Sequence, residues 1–128
     1  MLLIAQEFNI PYHVIFDGDA ASDAKYHAAH IRDNDAIFAL AGHPALGAMP
    51  TAHVLKPNLS LWFDTIEGVL DDDYGADTAV FNQAGCDAVG HLKSSKKNPI
   101  YIAAAMKAAW DAGRRFPVLD GVIADVLK

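Results

Sequence analysis

Two aspartates separated by a glycine stand out in the stretch IPYHVIFDGDAAS, residues 10–22. An apolar run leads directly into Asp17, and Gly18 separates this residue from Asp19. Residues two apart in a strand point to the same side, so we expect the two carboxylates to lie together. Adjacent carboxylates repel unless a proton or a cation lies between them, and Mg²⁺ and Mn²⁺ prefer oxygen ligands. The spacing predicts a divalent-metal site, and the alternative is a turn in which an aspartate caps the next helix.

A second candidate stretch, FDTIEGVL, places Thr65 and Glu67 on either side of Ile66. A hydroxyl and a carboxylate at this spacing can supply a second set of oxygen ligands facing the aspartate pair. The alternative is structural, because Thr65 is a good helix N-cap and Glu67 in the first turn interacts favourably with the helix dipole.

A third stretch, KSSKKNP, contains Lys96 and Lys97 directly before a strong helix start. A lysine at this position can stabilise negative charge that develops on a phosphate in a transition state. The alternative is a basic loop in solvent.

These stretches occur in the order VIFDGDA, DTIEGVL and KKNPIYIAAAMKAAWDAG, followed by a proline and a final amphipathic helix. The pattern resembles the C-terminal Toprim domain of OLD-family (overcoming lysogenization defect) ATP-dependent nucleases, over nearly the whole chain from about residue 11. The resemblance implies a Mg²⁺- or Mn²⁺-dependent endonuclease domain acting on DNA, with two metal sites and a lysine that assists cleavage. Carried over by position, the implied catalytic and metal residues are Asp17 and Asp19 for the first metal, Thr65 and Glu67 for the second, and Lys97, preferred over Lys96, for cleavage.

Two parts of the family pattern are not found in the sequence. Toprim domains carry a catalytic glutamate after a strand upstream of the aspartate pair, whereas here a predicted short helix precedes Asp17 and carries Glu7. The G-x-x-x-x-G-K-[ST] loop of the OLD ATPase domain is also missing. We therefore expect residues 1–128 to form one partial Toprim domain, weak or inactive alone. Its expected partners are DNA through bound metal, the ATPase domain of a parent protein, and a second copy through an uncovered sheet edge.

Two other functions compete with the nuclease interpretation. A haloacid-dehalogenase-like phosphatase also begins with a hydrophobic strand and two aspartates, which would make Asp17 a nucleophile and Asp19 a general acid. The order of the later motifs argues against it, because Ala20 and Ala21 stand where a threonine is expected and the acidic run precedes the lysines. The other alternative is a Toprim remnant without catalysis, kept for assembly or regulation.

Composition limits the class of protein. A chain of 128 residues with 52% hydrophobic and 20% charged residues fits one globular domain. No apolar run reaches membrane-spanning length and no basic leader is present, so we expect a cytoplasmic protein without a membrane partner. The net charge of −6 predicts poor general binding of nucleic acid unless divalent metals supply positive charge. The single cysteine, Cys86, excludes an internal disulfide.

The first half of the chain shows elements that can position the aspartate pair. A short helix is predicted to end near Asn9, and a buried strand to cover residues 12–17. The next helix is predicted over residues 21–42, with Ser22 or Asp23 as its cap and Gly42 at its end. A second strand is expected at residues 51–55.

The sequence pattern predicts helices throughout the second half of the chain. One is predicted from residue 64 or 65 to Gly75, and another over residues 77–88. Asn98 followed by Pro99 marks a further helix that runs to Gly113. The tail carries an amphipathic stripe at Leu119, Val122, Ile123 and Val126. We therefore expect a helix-rich α/β fold, a partial Rossmann-like Toprim domain with a small parallel sheet, ending in two amphipathic helices.

Overall fold

A computed structural model describes residues 2–90 and 97–127 and shows a helix-rich α/β protein with a three-stranded sheet. Its helices are α1 (Leu2–Glu7), α2 (His27–Leu40), α3 (Ile66–Tyr74), α4 (Thr78–Val89), α5 (Pro99–Asp111) and α6 (Pro117–Val126). Its strands are β1 (Val14–Asp17), β2 (Val54–Lys56) and β3 (Leu59–Trp62). Short 3-10 turns lie at Ala24–Tyr26 and Gly75–Asp77.

The chain divides into two compact units. Unit 1 comprises Met1–Ile66 and Val118–Lys128, and therefore holds the sheet, α1, α2 and almost all of α6. Unit 2 comprises Glu67–Pro117 and is helical wherever it has regular structure in the described residues.

The sheet of unit 1 is mixed. Its strand order is β1-β3-β2, with β1 parallel to β3 and β2 antiparallel to β3. Val14 lies opposite Leu59, and Asp17 lies opposite Trp62 at the carboxyl ends of the parallel pair. The expected small sheet and its parallel pairing are confirmed, whereas an all-parallel sheet is not, because a tight turn after Lys56 returns the chain as a hairpin.

The central strand β3 is the element that the sequence pattern did not predict. The stretch between the strand expected at 51–55 and the helix expected from 64 or 65 contains the run LSLW. All four of these residues are buried, because β3 pairs on both edges and is covered on both faces. A four-residue segment in which Ser60 interrupts the apolar residues is too short for its pattern to distinguish a buried strand from a loop.

The core of unit 1 forms where α2 packs on one face of the sheet. Its buried residues are Phe38, Ala41, Leu59 and Leu61. Phe16 packs against this cluster, with its ring centroid 6.1 Å from that of Phe38 in an edge-to-face arrangement. The cluster fixes β1 and β3 against α2, and so fixes the loops that leave both strands.

The start of α2 differs from the prediction. A 3-10 turn precedes it, and the helix proper begins at His27 with Tyr26 at the N-cap position. Asp23, at the N-cap of the 3-10 turn, makes no side-chain cap hydrogen bond, and Ser22 lies further upstream. The predicted capping of α2 by Ser22 or Asp23 is therefore wrong. The predicted end is confirmed, because α2 ends just before Gly42, which has φ +82°.

Unit 2 is held by aromatic packing between helices. The rings of Tyr74 and Phe81 lie 5.4 Å apart between centroids, and those of Tyr74 and Phe116 lie 6.0 Å apart. Gly85 allows α4 to approach α5, because a Cβ at this position would come within 2.8 Å of the Tyr101 ring. Close approach of the two helices therefore depends on the missing side chain.

The two ends of α5 confirm the sequence signals at Asn98 and Gly113. The side chain of Asn98 accepts a hydrogen bond from the backbone N–H of Ile100 at 2.9 Å, as an N-cap does. Gly90 follows α4 with φ +75°, and Gly113 follows α5 with φ +87°. Both glycines adopt the left-handed conformation that ends helices.

The predicted apolar stripe of α6 is only partly buried. Val122 is 4% exposed, whereas Ile123 and Val126 are each about half exposed. In the part of the chain that the structure describes, no helix is both long enough and apolar enough to span a membrane.

Candidate functional site

The loops that follow the parallel strands β1 and β3 are hydrogen-bonded to each other. The backbone N–H of Gly18 donates to the carbonyl oxygens of Trp62 at 2.9 Å and Asp64 at 3.0 Å. The N–H of Asp19 donates to the same Asp64 carbonyl at 3.1 Å. Ligands of open α/β sheets bind outside the carboxyl ends of the strands, so this edge of the sheet is the candidate site.

Gly18 is required by close packing. A Cβ built on Gly18 would lie 2.6 Å from both the Cγ of Pro50 and the carbonyl oxygen of Trp62, and 2.8 Å from the carbonyl oxygen of Phe63. Two of these three atoms belong to the backbone and cannot move aside easily. A side chain at this position would therefore clash with the end of β3.

Asp17 serves as a helix cap in this structure. Its Oδ1 accepts a hydrogen bond from the backbone N–H of Ile66, the first residue of α3, at 3.0 Å. A carboxylate at this position satisfies an N–H that has no partner within its own helix and interacts favourably with the helix dipole. The capping alternative therefore applies to Asp17, although the helix is α3 rather than the next helix along the chain.

Asp19 lies in a turn and not in the strand. β1 ends at Asp17, and Asp19 has φ +53°, so the alternation of side chains along a strand does not extend to it. Its Oδ2 lies 3.3 Å from the Nδ1 of His30 on α2, and its side chain is 43% exposed. Asp19 is thus a partly exposed carboxylate with a histidine beside it.

Asp64 is a site residue that sequence reasoning missed. Its carbonyl oxygen accepts the two loop hydrogen bonds described above, and its carboxylate Oδ1 accepts one from the backbone N–H of Ala21 at 3.0 Å. The sequence pattern that points to Asp64 is an aspartate shortly after a buried strand, and this pattern can be recognised only when Leu59–Trp62 is known to be a strand. Asp64 gives this edge a third carboxylate.

The remaining predicted site residues are divided between the units. Thr65 lies in unit 1, partly buried, immediately before α3. Glu67 lies in unit 2, in the first turn of α3, and lines a small cavity of about 10 Å³ together with Tyr74 and Tyr101. Lys97 is exposed in unit 2, directly before the cap of α5, and Lys96 lies outside the described residues.

The carboxylate oxygens at this edge are the type of ligand that a hard cation prefers, but they already contact other groups of the protein. Asp17 and Asp19 offer carboxylate oxygens, yet the first accepts from Ile66 and the second contacts His30. Within residues 2–90 and 97–127, no group of three or more His, Cys, Asp and Glu side chains is placed to hold a metal ion. A divalent ion would therefore have to share or displace these contacts, which weakens its binding.

A serine and a histidine also meet inside unit 1. The Oγ of Ser60 on β3 lies 2.8 Å from the Nε2 of His13, a distance suited to a nucleophile and its base. Ser60 is only 1% exposed, however, so no substrate can reach its hydroxyl. We interpret the pair as a buried hydrogen bond that satisfies a polar side chain on the central strand.

In unit 2, the titration of one buried tyrosine is perturbed. Burial raises the pKa of Tyr74 to about 12, and the negative charges of Asp71, Tyr101 and Asp73 act in the same direction. Tyr74 is 2% exposed and packs between Phe81 and Phe116. The hydroxyl therefore stays protonated over the whole physiological range, which suits a structural role.

Comparison with protein-family models, with curated proteins and with solved structures found no match to this chain. The Toprim-like nuclease therefore stays a prediction from the sequence motifs.

Proposed function

We propose that this chain supplies oxygen ligands for Mg²⁺ or Mn²⁺ in a site that hydrolyses phosphodiester bonds of DNA, as in the OLD-family Toprim nucleases that its motifs resemble. One observation supports this most directly. Carboxylates lie at the carboxyl ends of both parallel strands: Asp17 is the last residue of β1, Asp19 follows it, and Asp64 follows β3. The loops that leave the two strands hydrogen-bond to each other. This edge is where open α/β sheets bind ligands.

The roles follow from the chemistry of each side chain. Asp19, the exposed carboxylate, and Asp17 would hold the cation, which supplies Lewis acidity and a more acidic bound water when present. Thr65 and Glu67 are the proposed second ligand set. Lys97, exposed before α5, would neutralise charge on the phosphate.

The contacts around Asp17 and Asp19 imply weak metal binding. Bringing Asp17 Oδ1 to a cation would cost the hydrogen bond to Ile66, and Asp19 would have to turn from His30. The net charge of −6 also gives no general attraction for the DNA backbone. We therefore expect slow cleavage by this chain alone.

A second candidate function is a non-catalytic module for assembly or regulation. The observation that favours it is the use of Asp17 as the cap of α3, which gives this aspartate a structural reason to be present. Under this alternative, neither carboxylate needs to bind a cation.

Calorimetric titration with MgCl₂ and MnCl₂ separates the two candidates. Asp19→Asn is the key variant, because it removes a charge without removing the α3 cap. Asp33→Asn is the matched control, since Asp33 is an exposed aspartate on α2 that pairs with Arg32. If the chain is a metal-dependent nuclease, we expect the wild type and Asp33→Asn to bind the metal ion weakly and Asp19→Asn not to bind it. Equal heats of binding in the wild type and both variants would contradict the nuclease function.

A plasmid-nicking assay with Mn²⁺ tests the chemistry. We expect slow nicking that disappears in Asp19→Ala and persists in Asp33→Ala. Nicking that is unchanged in Asp19→Ala would show that another site, or a contaminant, cleaves the DNA.

A further inference from the structure

A carboxylate and an imidazole lie side by side at the carboxyl edge of the sheet. The Oδ2 of Asp19 is 3.3 Å from the Nδ1 of His30. This separation is longer than the roughly 2.7–3.2 Å of an ordinary N–H···O hydrogen bond. It matches the distance between two ligand atoms of one ion, because two bonds of about 2.1 Å that meet at about 100–110° place their ends about 3.2–3.4 Å apart. The two atoms are therefore spaced to bind the same metal ion.

Backbone contacts hold the turn that carries Asp19. Its N–H donates to the carbonyl oxygen of Asp64 at 3.1 Å, and its own carbonyl oxygen accepts from the N–H of Ser22 at 3.0 Å. Its φ of +53° lies in the left-handed region, which aspartate tolerates better than most residues do. The carboxylate is thus positioned by a hydrogen-bonded turn.

The imidazole of His30 is positioned by a helix. His30 lies within α2, and its ring meets the ring of Tyr26 edge to face, with 6.4 Å between the centroids. The side chain of His30 is 28% exposed and that of Asp19 is 43% exposed. Water or a phosphate oxygen can therefore reach an ion between them and fill its other coordination positions.

The basic side chains closest to this pair along the chain already have carboxylate partners. Lys25 and Arg32 each form an ion pair with a neighbouring aspartate, at 3.0 Å and 2.9 Å respectively. The ion-pair contact of Asp19 is with His30 instead. A metal ion bound by Asp19 and His30 would neutralise this carboxylate without breaking the ion pairs of Lys25 and Arg32.

We propose that Asp19 and His30 bind one divalent transition-metal ion through Oδ2 and Nδ1. This inference rests on the metal site proposed above and deepens it, because a histidine nitrogen joins the carboxylate oxygen as a ligand. An imidazole ligand favours transition-metal ions over Mg²⁺, which prefers oxygen. The site therefore binds Mn²⁺ more tightly than Mg²⁺, and Co²⁺ more tightly than Mn²⁺.

An ion bound by these two residues leaves Asp17 in its structural role. Asp17 keeps the hydrogen bond from Ile66 that caps α3, because the ion takes its protein ligands from Asp19 and His30. Within residues 2–90 and 97–127, no third His, Cys, Asp or Glu side chain is placed to complete the site. With two protein ligands the ion keeps several waters, so its binding is weak.

Mn²⁺ is the probe, because its electron paramagnetic resonance spectrum reports both affinity and ligand type. Loss of the free-ion signal measures binding to the full chain without a histidine tag. A pulsed measurement detects modulation from a directly bound imidazole nitrogen, and it needs no variant. We expect weak binding with this modulation in the wild type. Releasing the bound Mn²⁺ should require a higher concentration of Mg²⁺ than of Co²⁺.

The key variant is His30→Gln, which keeps a polar side chain but has no ring nitrogen. We expect Mn²⁺ to bind this variant at least roughly tenfold more weakly and without imidazole modulation. The matched control is His27→Gln, one turn earlier on α2, because the Nε2 of His27 already contacts the carbonyl oxygen of Ser22 at 2.9 Å. This control should bind Mn²⁺ as the wild type does. Thermal melts test whether both variants are folded.

Four results would overturn the proposal. Mn²⁺ binding without imidazole modulation would mean that oxygen atoms alone hold the ion, and the nuclease proposal would stand if Asp19→Asn abolished that binding. Release of Mn²⁺ by equal concentrations of Mg²⁺ and Co²⁺ would also exclude a nitrogen ligand. Equal losses in His27→Gln and His30→Gln would place the ion between the two histidines. A wild type that does not bind Mn²⁺ would overturn both this inference and the metal site of the proposed nuclease.

Discussion

Units 1 and 2 differ in their balance of charged residues and in their secondary structure. Unit 1 has nine Asp and Glu residues against four Lys and Arg, whereas unit 2 has seven against six. The three strands and a cavity of about 460 Å³, lined by Ile15, Trp62 and Ile123 among others, also belong to unit 1. The features suited to binding are therefore concentrated in unit 1, whereas unit 2 is organised around helix packing.

The units also differ in the reach of their polar contacts. In unit 1, Asp17 accepts from Ile66 and His13 pairs with Ser60, across 49 and 47 residues of chain respectively. In unit 2, Asn98 accepts from Ile100 only two residues away, although Arg114 reaches back 37 residues to Asp77. The backbone contacts at Gly18 hold the strand ends of unit 1 together, so we expect its stability to fall when a side chain is added there. The ring contact of Tyr74 with Phe81 joins helices of unit 2, so we expect its stability to fall when an aromatic ring is removed.

The largest effect is expected from Phe81→Ala in unit 2. Phe81 is 4% exposed and packs its ring against Tyr74. Removing a buried aromatic side chain should lower the free energy of unfolding by about 3–5 kcal/mol, because contacts are lost and a cavity remains. Urea denaturation measures this. Val80→Ala, at the neighbouring 66% exposed position, is the control and should change little. Equal losses in both variants would mean that aromatic packing does not organise unit 2.

A smaller effect is expected from Gly18→Ala in unit 1. The new Cβ would meet Pro50 and backbone oxygens of Trp62 and Phe63 at 2.6–2.8 Å, so the strand ends must shift. We expect a loss of about 3 kcal/mol, the upper end of the usual range for overpacking. Gly121→Ala on α6 is the matched control, because its Cβ meets nothing within 4 Å, and it should be neutral or slightly stabilising. A stable Gly18→Ala protein would argue against the tight junction of β1 and β3.

Alkaline pH should act on unit 2 through Tyr74. The folded state raises the pKa of Tyr74 from 10.0 to about 12, so the protonated form is favoured on folding. This contribution is fully present below pH 10 and is lost as the pH rises from 10 to about 12, because the unfolded chain ionises first. The size is on the order of 2 kcal/mol. Urea midpoints at pH 9 and 11.5 should fall further apart in wild type than in Tyr74→Phe. Identical shifts in the two proteins would assign the alkaline loss to other groups.

The smallest effect is expected at the start of α5. Asn98→Ala removes the hydrogen bond to the N–H of Ile100 and should cost about 1 kcal/mol, as for other N-caps. Asn98→Asp keeps an acceptor at the same position and should stay close to wild type. Thermal unfolding of the three proteins provides the measurement. If the alanine and aspartate variants melt together, the cap contributes nothing to the stability of unit 2.

The sequence by itself determined the helix ends of unit 2. Asn98 and Pro99 predicted the start of α5, Gly113 its end, and the structure confirms both. The reason is physical: a cap joins atoms within a few residues, so the chain carries the whole signal locally. The start of α3 at Ile66 was also predicted closely, although the carboxylate that caps this helix comes from Asp17, 49 residues away.

Only the tertiary structure decided what surrounds the aspartate pair. The position of β3 between β1 and β2, the capping of α3 by Asp17 and the contact of Asp19 with His30 all join distant segments. Closing such loops depends on the burial of apolar surface by the whole unit, which no short motif encodes. A D-G-D sequence is therefore compatible with a metal ligand, a cap or a turn. The choice among them depends on which strand end and which helix end the fold brings beside it.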